Sequence, residues 1–125
     1  MGKRLHVAKT YVVEWGDTEV FNWSFDKFYH LLNTLGASTY MGCEDENVYD
    51  FEVEQESYET AMANLNQFIS NPNELPDEVP DEVDADDIER AIADLDMKPQ
   101  EILEIMQNYY AEAHKADGYL HFSAF

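Results

Sequence analysis

A row of carboxylates at alternating positions is the part of this sequence best suited to chemistry. Asp50, Glu52 and Glu54 stand two residues apart within residues 47–54, a segment whose alternation is typical of a strand. A strand rises about 3.3 Å per residue, so carboxylates on one face repeat at about 6.6 Å. Duplex DNA carries one phosphate charge per strand about every 3.4 Å along its axis, and the backbone that bears these charges zigzags around that axis. The row can therefore present a phosphate-like series of charges to a basic cleft on another protein.

Two further acidic groups lie near this row in the sequence. One precedes it at residues 44–46, and a proline-spaced group follows over residues 77–89. We predict that carboxylates from all three groups form a partner-binding acidic face. This predicted face consists of Glu44, Asp45, Glu46, Asp50, Glu52, Glu54, Asp77, Glu78, Asp81 and Glu82.

The charge balance of the chain favours such a face. Between Lys27 and Arg90 there are 17 carboxylates and no lysine or arginine, and the 125-residue chain has a formal net charge of −20. Ordinary surfaces intersperse both signs, and like charges on one strand face repel each other. A second interpretation stays open, because an exposed strand face needs polar residues and a high net charge also keeps a protein soluble.

The same balance argues against two classes of partner. Lysine and arginine together number 7, against 27 aspartates and glutamates. Nucleic acids and anionic membranes are both bound mainly through cations that neutralise their phosphates. We therefore expect neither direct nucleic-acid binding nor membrane binding, and the expected partner is a basic protein, such as a nucleic-acid-binding protein or a nuclease.

Motifs for a metal or a reactive thiol are missing from the sequence. A calcium-binding loop counted from Glu82 has Asp87 where glycine is needed and Ala93 where the last glutamate is needed. The four histidines are scattered, without the cysteine or histidine spacing of a zinc site. Cys43 is followed by three acids, which disfavour a thiolate. We predict no metal site and no cofactor.

Enzymatic motifs are missing as well. The chain has no glycine-rich phosphate loop and no nucleophile elbow. A carboxylate pair can be chosen from any 27 acids, so pairs alone do not indicate acid–base catalysis. Two consecutive helices expected at residues 85–95 and 99–114 have the spacing of a helix-turn-helix, but the glutamates of the second would repel phosphates. We predict a non-enzymatic protein in which these helices form a plain hairpin.

Hydrophobic periodicity predicts alternating strands and helices. Alternation over residues 5–15 predicts one long strand, and residues 20–23 could return beside it as a hairpin. A helix is expected from Ser24, with Gly36 just past its end. The segment 119–125 alternates and could close the sheet by pairing with the first strand.

The remaining helices are recognised by their first residues. Ser57 is expected to cap a helix that follows the acidic strand, and Asp84 to cap the next. Pro99 suits the first position of the last helix. The interspersed order predicts an α+β fold, with a small, mostly antiparallel sheet and about four helices packed on one face.

The length predicts one domain over residues 1–125. Prolines and acids at residues 71–83 predict an exposed connector between an α/β part, residues 1–70, and a helical hairpin with a closing strand, residues 84–125. The lone cysteine, and an N-terminus without an apolar run, predict a cytoplasmic protein.

The sequence thus supports two hypotheses about function. The first is a non-enzymatic acidic interaction protein that occupies a basic surface. Nucleic-acid mimics that inhibit restriction or CRISPR systems, and immunity proteins that neutralise basic nucleases, work in this way; the likeness to them is one of size and charge only. The second is a small cytoplasmic structural or adaptor domain whose acids serve solubility.

Overall fold

The structure is a computed structural model. It describes the backbone of residues 5–8, 15–16, 25–44, 49–72, 74–76, 78–113 and 118–124, and the side chains of residues 26–40, 51–72, 74–76, 78–113 and 118–122.

A five-stranded antiparallel sheet forms one layer of the fold. Its strands follow the order β2-β1-β5-β4-β3, so the C-terminal strand lies in the middle of the sheet. The strands are β1 Leu5–Ala8, β2 Trp15–Gly16, β3 Thr39–Glu44, β4 Tyr49–Glu54 and β5 Tyr119–Ala124. The expected pairing between the first and last strands is confirmed, since Leu5 pairs with Ala124 and Val7 with Phe122.

The prediction of one long strand over residues 5–15 is wrong. Val7 pairs with Gly16 and Ala8 with Trp15 in antiparallel register, so β1 and β2 are separate strands that lie side by side. Alternation continued through both of them, and nothing in the pattern marked the break. The return strand expected at residues 20–23 lies outside the described residues.

Four helices are present in the described part of the chain, and with the small antiparallel sheet they confirm the α+β fold. They are α1 Phe25–Thr34, α2 Gln55–Ser70, α3 Ala85–Asp94 and α4 Pro99–Glu112. The consecutive helices α3 and α4 do not pack mainly against each other. Instead α3 packs mainly against α1, and α4 packs mainly against α2.

The starts of α3 and α4 follow the sequence signals, whereas the start of α2 does not. Asp84 caps α3 in a capping box with Asp87, and Pro99 begins α4. Ser57 does not cap α2, which starts two residues earlier at Gln55. The Ser57 hydroxyl instead donates to the Glu54 carbonyl and accepts from the Ser38 amide, each at 2.8 Å. It therefore ties the start of α2 to the start of β3.

The core lies between the helices and one face of the sheet, and Phe122 is at its centre. Phe122 is 1% exposed, and its ring contacts the rings of Phe28, Phe51, Tyr58 and Tyr109 at centroid distances of 5.0–6.3 Å. These rings come from α1, β4, α2 and α4 respectively. One side chain of the central strand thus contacts a neighbouring strand and three helices.

Tyr58 also links this aromatic cluster to α4 through a hydrogen bond. Its hydroxyl donates a 2.8 Å hydrogen bond to the carbonyl of Met106. Burial, with a smaller contribution from Tyr109, raises the pKa of Tyr58 well above its ordinary value. The hydroxyl therefore keeps its proton at neutral pH and remains a donor, which satisfies a buried polar group.

We expect Phe122→Ala to destabilise the fold by about 3–5 kcal/mol, because it removes a ring that four other rings contact. Urea denaturation measures this loss. Leu75→Ala is the matched control, since Leu75 is exposed and its truncation should cost no more than about 0.5 kcal/mol. Equal losses in the two variants would contradict the central position of Phe122.

Candidate partner-binding face

Two carboxylates of the acidic strand, Glu52 and Glu54, have described side chains, and both lie on the face that the sequence predicts. Phe51 and Val53 are buried against the helices, while Glu52 and Glu54 alternate with them and are partly exposed. The side chain of Glu52 is 47% exposed. Both glutamates therefore lie on the face of the sheet opposite the helices, which we call the outer face.

Register brings three further side chains beside these glutamates. Glu52 pairs with Tyr40 of β3 on one side and with His121 of β5 on the other, and Glu54 pairs with Tyr119. His121 Nδ1 lies 3.4 Å from Glu52 Oε1. Directly opposed residues in an antiparallel sheet share a face, so all five side chains occupy the outer face.

Tyr40 and Tyr119 form an aromatic pair on this face. Their ring centroids are 6.2 Å apart, with an interplanar angle of 74°, which is an edge-to-face arrangement. Strand β4 lies between the strands that carry them, so the two rings meet above β4, between Glu52 and Glu54. Tyr40 is 52% exposed. The carboxylates are thus accompanied by an accessible aromatic surface.

The other predicted acids of this region are described less fully. Asp50 pairs through its backbone with Cys43 and with Ser123, and Glu44 pairs with Tyr49. A register shift between Met41 and Cys43 interrupts the pairing of β3 with β4 just before these positions. Asp45 and Glu46 lie outside the described residues, as does Asp77 of the later group.

The proline-spaced segment keeps its acids in solvent. Glu78, Asp81 and Glu82 are exposed. The segment is nevertheless attached to the core, because Pro76 is buried and Val79, with Val83, packs against the core residues.

This segment approaches the acidic strand through the loop that leads into β3. A methyl group placed on Gly36 would lie 2.9 Å from the backbone oxygen of Glu78. Ser38 is two residues further along the chain and therefore within about 7 Å of Gly36. The carbonyl of Ser38 accepts a 3.0 Å hydrogen bond from the amide of Glu54. The structure therefore brings the backbone of Glu78 to the same end of the sheet as Glu54.

Gly36 has a local reason to be at this junction. It ends α1 with a φ of +98°, and Ala37 donates to the Leu32 carbonyl while Gly36 donates to the Asn33 carbonyl. This is the Schellman arrangement that favours glycine at the end of a helix. Asn64 of α2 donates a 2.7 Å hydrogen bond to the Leu35 carbonyl, which fixes the same turn from below.

Acids are also exposed on the helices. Asp87 has a structural partner, since it completes the α3 capping box and pairs with Arg90 at 3.1 Å. Other acids project from the surfaces of the helices without belonging to the predicted face; they include Glu56, Glu59, Glu89, Glu101, Glu104 and Glu112. The negative charge therefore covers more of the surface than the outer face alone.

The cations with described side chains lie elsewhere. They are Lys27 on α1, Arg90 on α3 and Lys98 just before α4, and all three are exposed. Among side chains that the structure describes, no lysine or arginine belongs to a strand. The negative charge of Glu52 and Glu54 is therefore not offset by a lysine or an arginine among the described strand side chains.

A cleft of about 380 Å³ lies on the helical side, between the end of α2 and the adjoining parts of α3 and α4. Phe68, Ile92, Pro72 and Pro99 contribute to its wall, with Glu89 among its polar residues. In the described part of the chain, no three histidines, cysteines or acids are grouped so that they could hold a metal ion. No helix within those residues is long and apolar enough to cross a membrane.

Sequence reasoning missed the aromatic pair and the histidine of the outer face. The sequence pattern does not assign Tyr40 to a face of the sheet. The alternation of Tyr119 with buried Leu120 was a usable signal, but the strands beside β5 were needed to place it against Glu54.

Comparisons with protein-family models, with curated proteins and with solved structures found no match for this chain. The function of this chain is therefore inferred from the geometry and the charge of its outer face.

The junction at Gly36 gives a direct test of how the acidic segment is seated. Gly36 and Gly118 both have positive φ, +98° and +86°, so alanine is strained at either position, by about 1–2 kcal/mol. Only at Gly36 would the new methyl group collide with the Glu78 carbonyl, whereas at Gly118 no atom of the described residues lies within 4 Å of it. We expect Gly36→Ala to cost about 1 kcal/mol or more beyond Gly118→Ala in urea denaturation. Equal costs would contradict the contact.

Proposed function

We propose that this protein is a non-enzymatic interaction protein whose acidic outer face occupies a basic surface on another protein. The observation that carries the proposal is the arrangement around β4. Glu52 and Glu54 share the outer face with the Tyr40–Tyr119 pair, of which Tyr40 is exposed, and the burial of Phe51 and Val53 keeps that face turned to solvent. A surface that served solubility alone would not need aromatic rings among its carboxylates.

Aromatic residues beside charges are typical of binding surfaces. Tyrosine supplies a large contact area with few rotatable bonds, and it is enriched at the energetically important centres of interfaces. The carboxylates around it supply complementary charge, which speeds association with a basic partner and excludes acidic ones. The tyrosines and the carboxylates are direct neighbours across the strands of one sheet.

A basic nucleic-acid-binding protein or nuclease is the partner class that fits best. On a strand, Glu52 and Glu54 repeat at about 6.6 Å, a spacing that can substitute for part of a phosphate backbone. The exposed acids Glu78, Asp81 and Glu82 extend the charge beyond the Glu54 end of the sheet. The proposal is therefore a nucleic-acid mimic, or an inhibitor or immunity protein, that acts in the cytoplasm.

One observation favours the second function, a structural or adaptor domain with an acidic surface for solubility. Exposed acids also occur on α2, α3 and α4, at positions that do not belong to the predicted face. Charge spread in this way gives colloidal stability without any specific partner. The two functions differ in whether particular carboxylates matter or only their total number.

Two charge-matched double variants separate these functions. Glu52→Gln/Glu54→Gln removes charge from the outer face, and Glu101→Gln/Glu104→Gln removes the same charge from exposed positions on α4. Affinity capture from cell lysate at low and high salt, followed by mass spectrometry, should recover a basic nucleic-acid-binding protein at low salt. We expect the outer-face variant to raise the Kd for that protein roughly two- to thirty-fold, and the α4 variant to leave it nearly unchanged.

Either of two results would count against the proposal. Capture of no basic protein at low salt would remove the expected partner class. Equal losses in the two double variants would show that total charge, and not the outer face, determines binding. Thermal melting of both variants checks that each remains folded, which partly exposed Glu→Gln changes should allow.

A further inference from the structure

We propose that the outer face contains a subsite for one arginine side chain of the partner, formed by Tyr40, Tyr119, Glu52 and Glu54. This inference rests on the proposed function and identifies the group through which a basic partner is anchored.

The aromatic part of the subsite has a surface that a cation can approach. In an edge-to-face pair, the ring that presents its edge keeps both faces uncovered by its neighbour, and the other ring keeps one. Tyr40 and Tyr119 form such a pair at 6.2 Å, and Tyr40 is 52% exposed. A cation within about 6 Å of a ring centroid is attracted to the negative face of the ring.

The carboxylates stand on either side of this pair. Glu52 is directly opposite Tyr40, and Glu54 is directly opposite Tyr119. Directly opposed residues have Cβ atoms about 4.5–5.5 Å apart, so a cation over either ring is within reach of a carboxylate. His121 Nδ1 lies 3.4 Å from one oxygen of Glu52, and Glu52 and Glu54 are both partly exposed, so a cation can reach their carboxylates from solvent.

This combination selects guanidinium over ammonium. A guanidinium group is planar, so it can lie flat on an aromatic ring while its edge donates two parallel hydrogen bonds to a carboxylate. An ammonium group is compact and strongly hydrated, and it interacts with the same residues mainly as a point charge. The subsite is therefore expected to distinguish arginine from lysine, which total charge alone would not do.

The charge of the chain explains why the occupant is basic. The formal net charge is −20, and no described strand side chain is a lysine or an arginine. A second copy of this chain would bring the same negative charge and would be repelled. A basic protein segment with an exposed arginine is complementary both to the field and to the geometry.

Oligoarginine and oligolysine peptides of equal length provide the probes. At low salt, we expect the unmodified protein to bind oligoarginine roughly three- to ten-fold more tightly than oligolysine. Tyr40→Ser should remove most of this preference while leaving the binding of oligolysine nearly unchanged. Leu75→Ser is the matched control, because it removes another exposed apolar side chain and should leave the preference intact.

A second measurement needs no variant. In a titration of the unmodified protein followed by nuclear magnetic resonance, oligoarginine should shift the backbone amides of Tyr40, Glu52, Glu54 and Tyr119 more than oligolysine does. Equal affinities for the two peptides, or larger shifts on α4 than on β4, would overturn the arginine subsite and leave the acidic interaction surface standing. Failure of both peptides to bind at low salt would contradict the proposed function and the subsite together.

Discussion

The contact of one phenylalanine with four other aromatic rings holds this fold together. Phe122 is on the last strand, yet that strand is the middle one of the sheet, so its side chain faces the helices from the centre. Its neighbours belong to α1, β4, α2 and α4, which lie between residues 25 and 112 of the chain. Aromatic pairs of this kind contribute about 0.5–1.5 kcal/mol each beyond their buried area, while a domain is stable by only about 5–15 kcal/mol. The closing strand is therefore required for the position of these four elements.

The same constraint determines what the protein presents to solvent. Because side chains alternate along a strand, burying Phe51 and Phe122 on the helical side obliges Glu52 and His121 to lie on the other. A shift of one residue in the pairing would move these charges into the core, so the register is strongly determined. The outer face is thus a rigid array, and a rigid array loses little conformational entropy when it binds. This rigidity is what allows two glutamates and two tyrosines to act as a unit.

Local signals in the sequence predicted much of this arrangement. The alternation over residues 47–54, the cap at Asp84 and the proline at the start of α4 each identify an element from neighbouring residues, and the structure has them there. What depends on distant residues was not predictable in the same way. The separation of β1 from β2, the packing of α3 on α1, and the meeting of Tyr40 with Tyr119 above β4 all require the strand order. For the site, the sequence indicated the carboxylates correctly as an outer row at Glu52 and Glu54, but the aromatic rings beside them became apparent only with the register.

The central claim is that the outer face of the sheet forms the binding surface. Hydrogen–deuterium exchange on the protein, alone and with a basic partner recovered at low salt, tests this claim most directly. We expect slower exchange in β3 and β4 when the partner is bound, with α4 unchanged. Slower exchange confined to α4, or no change anywhere in the presence of a bound partner, would contradict it.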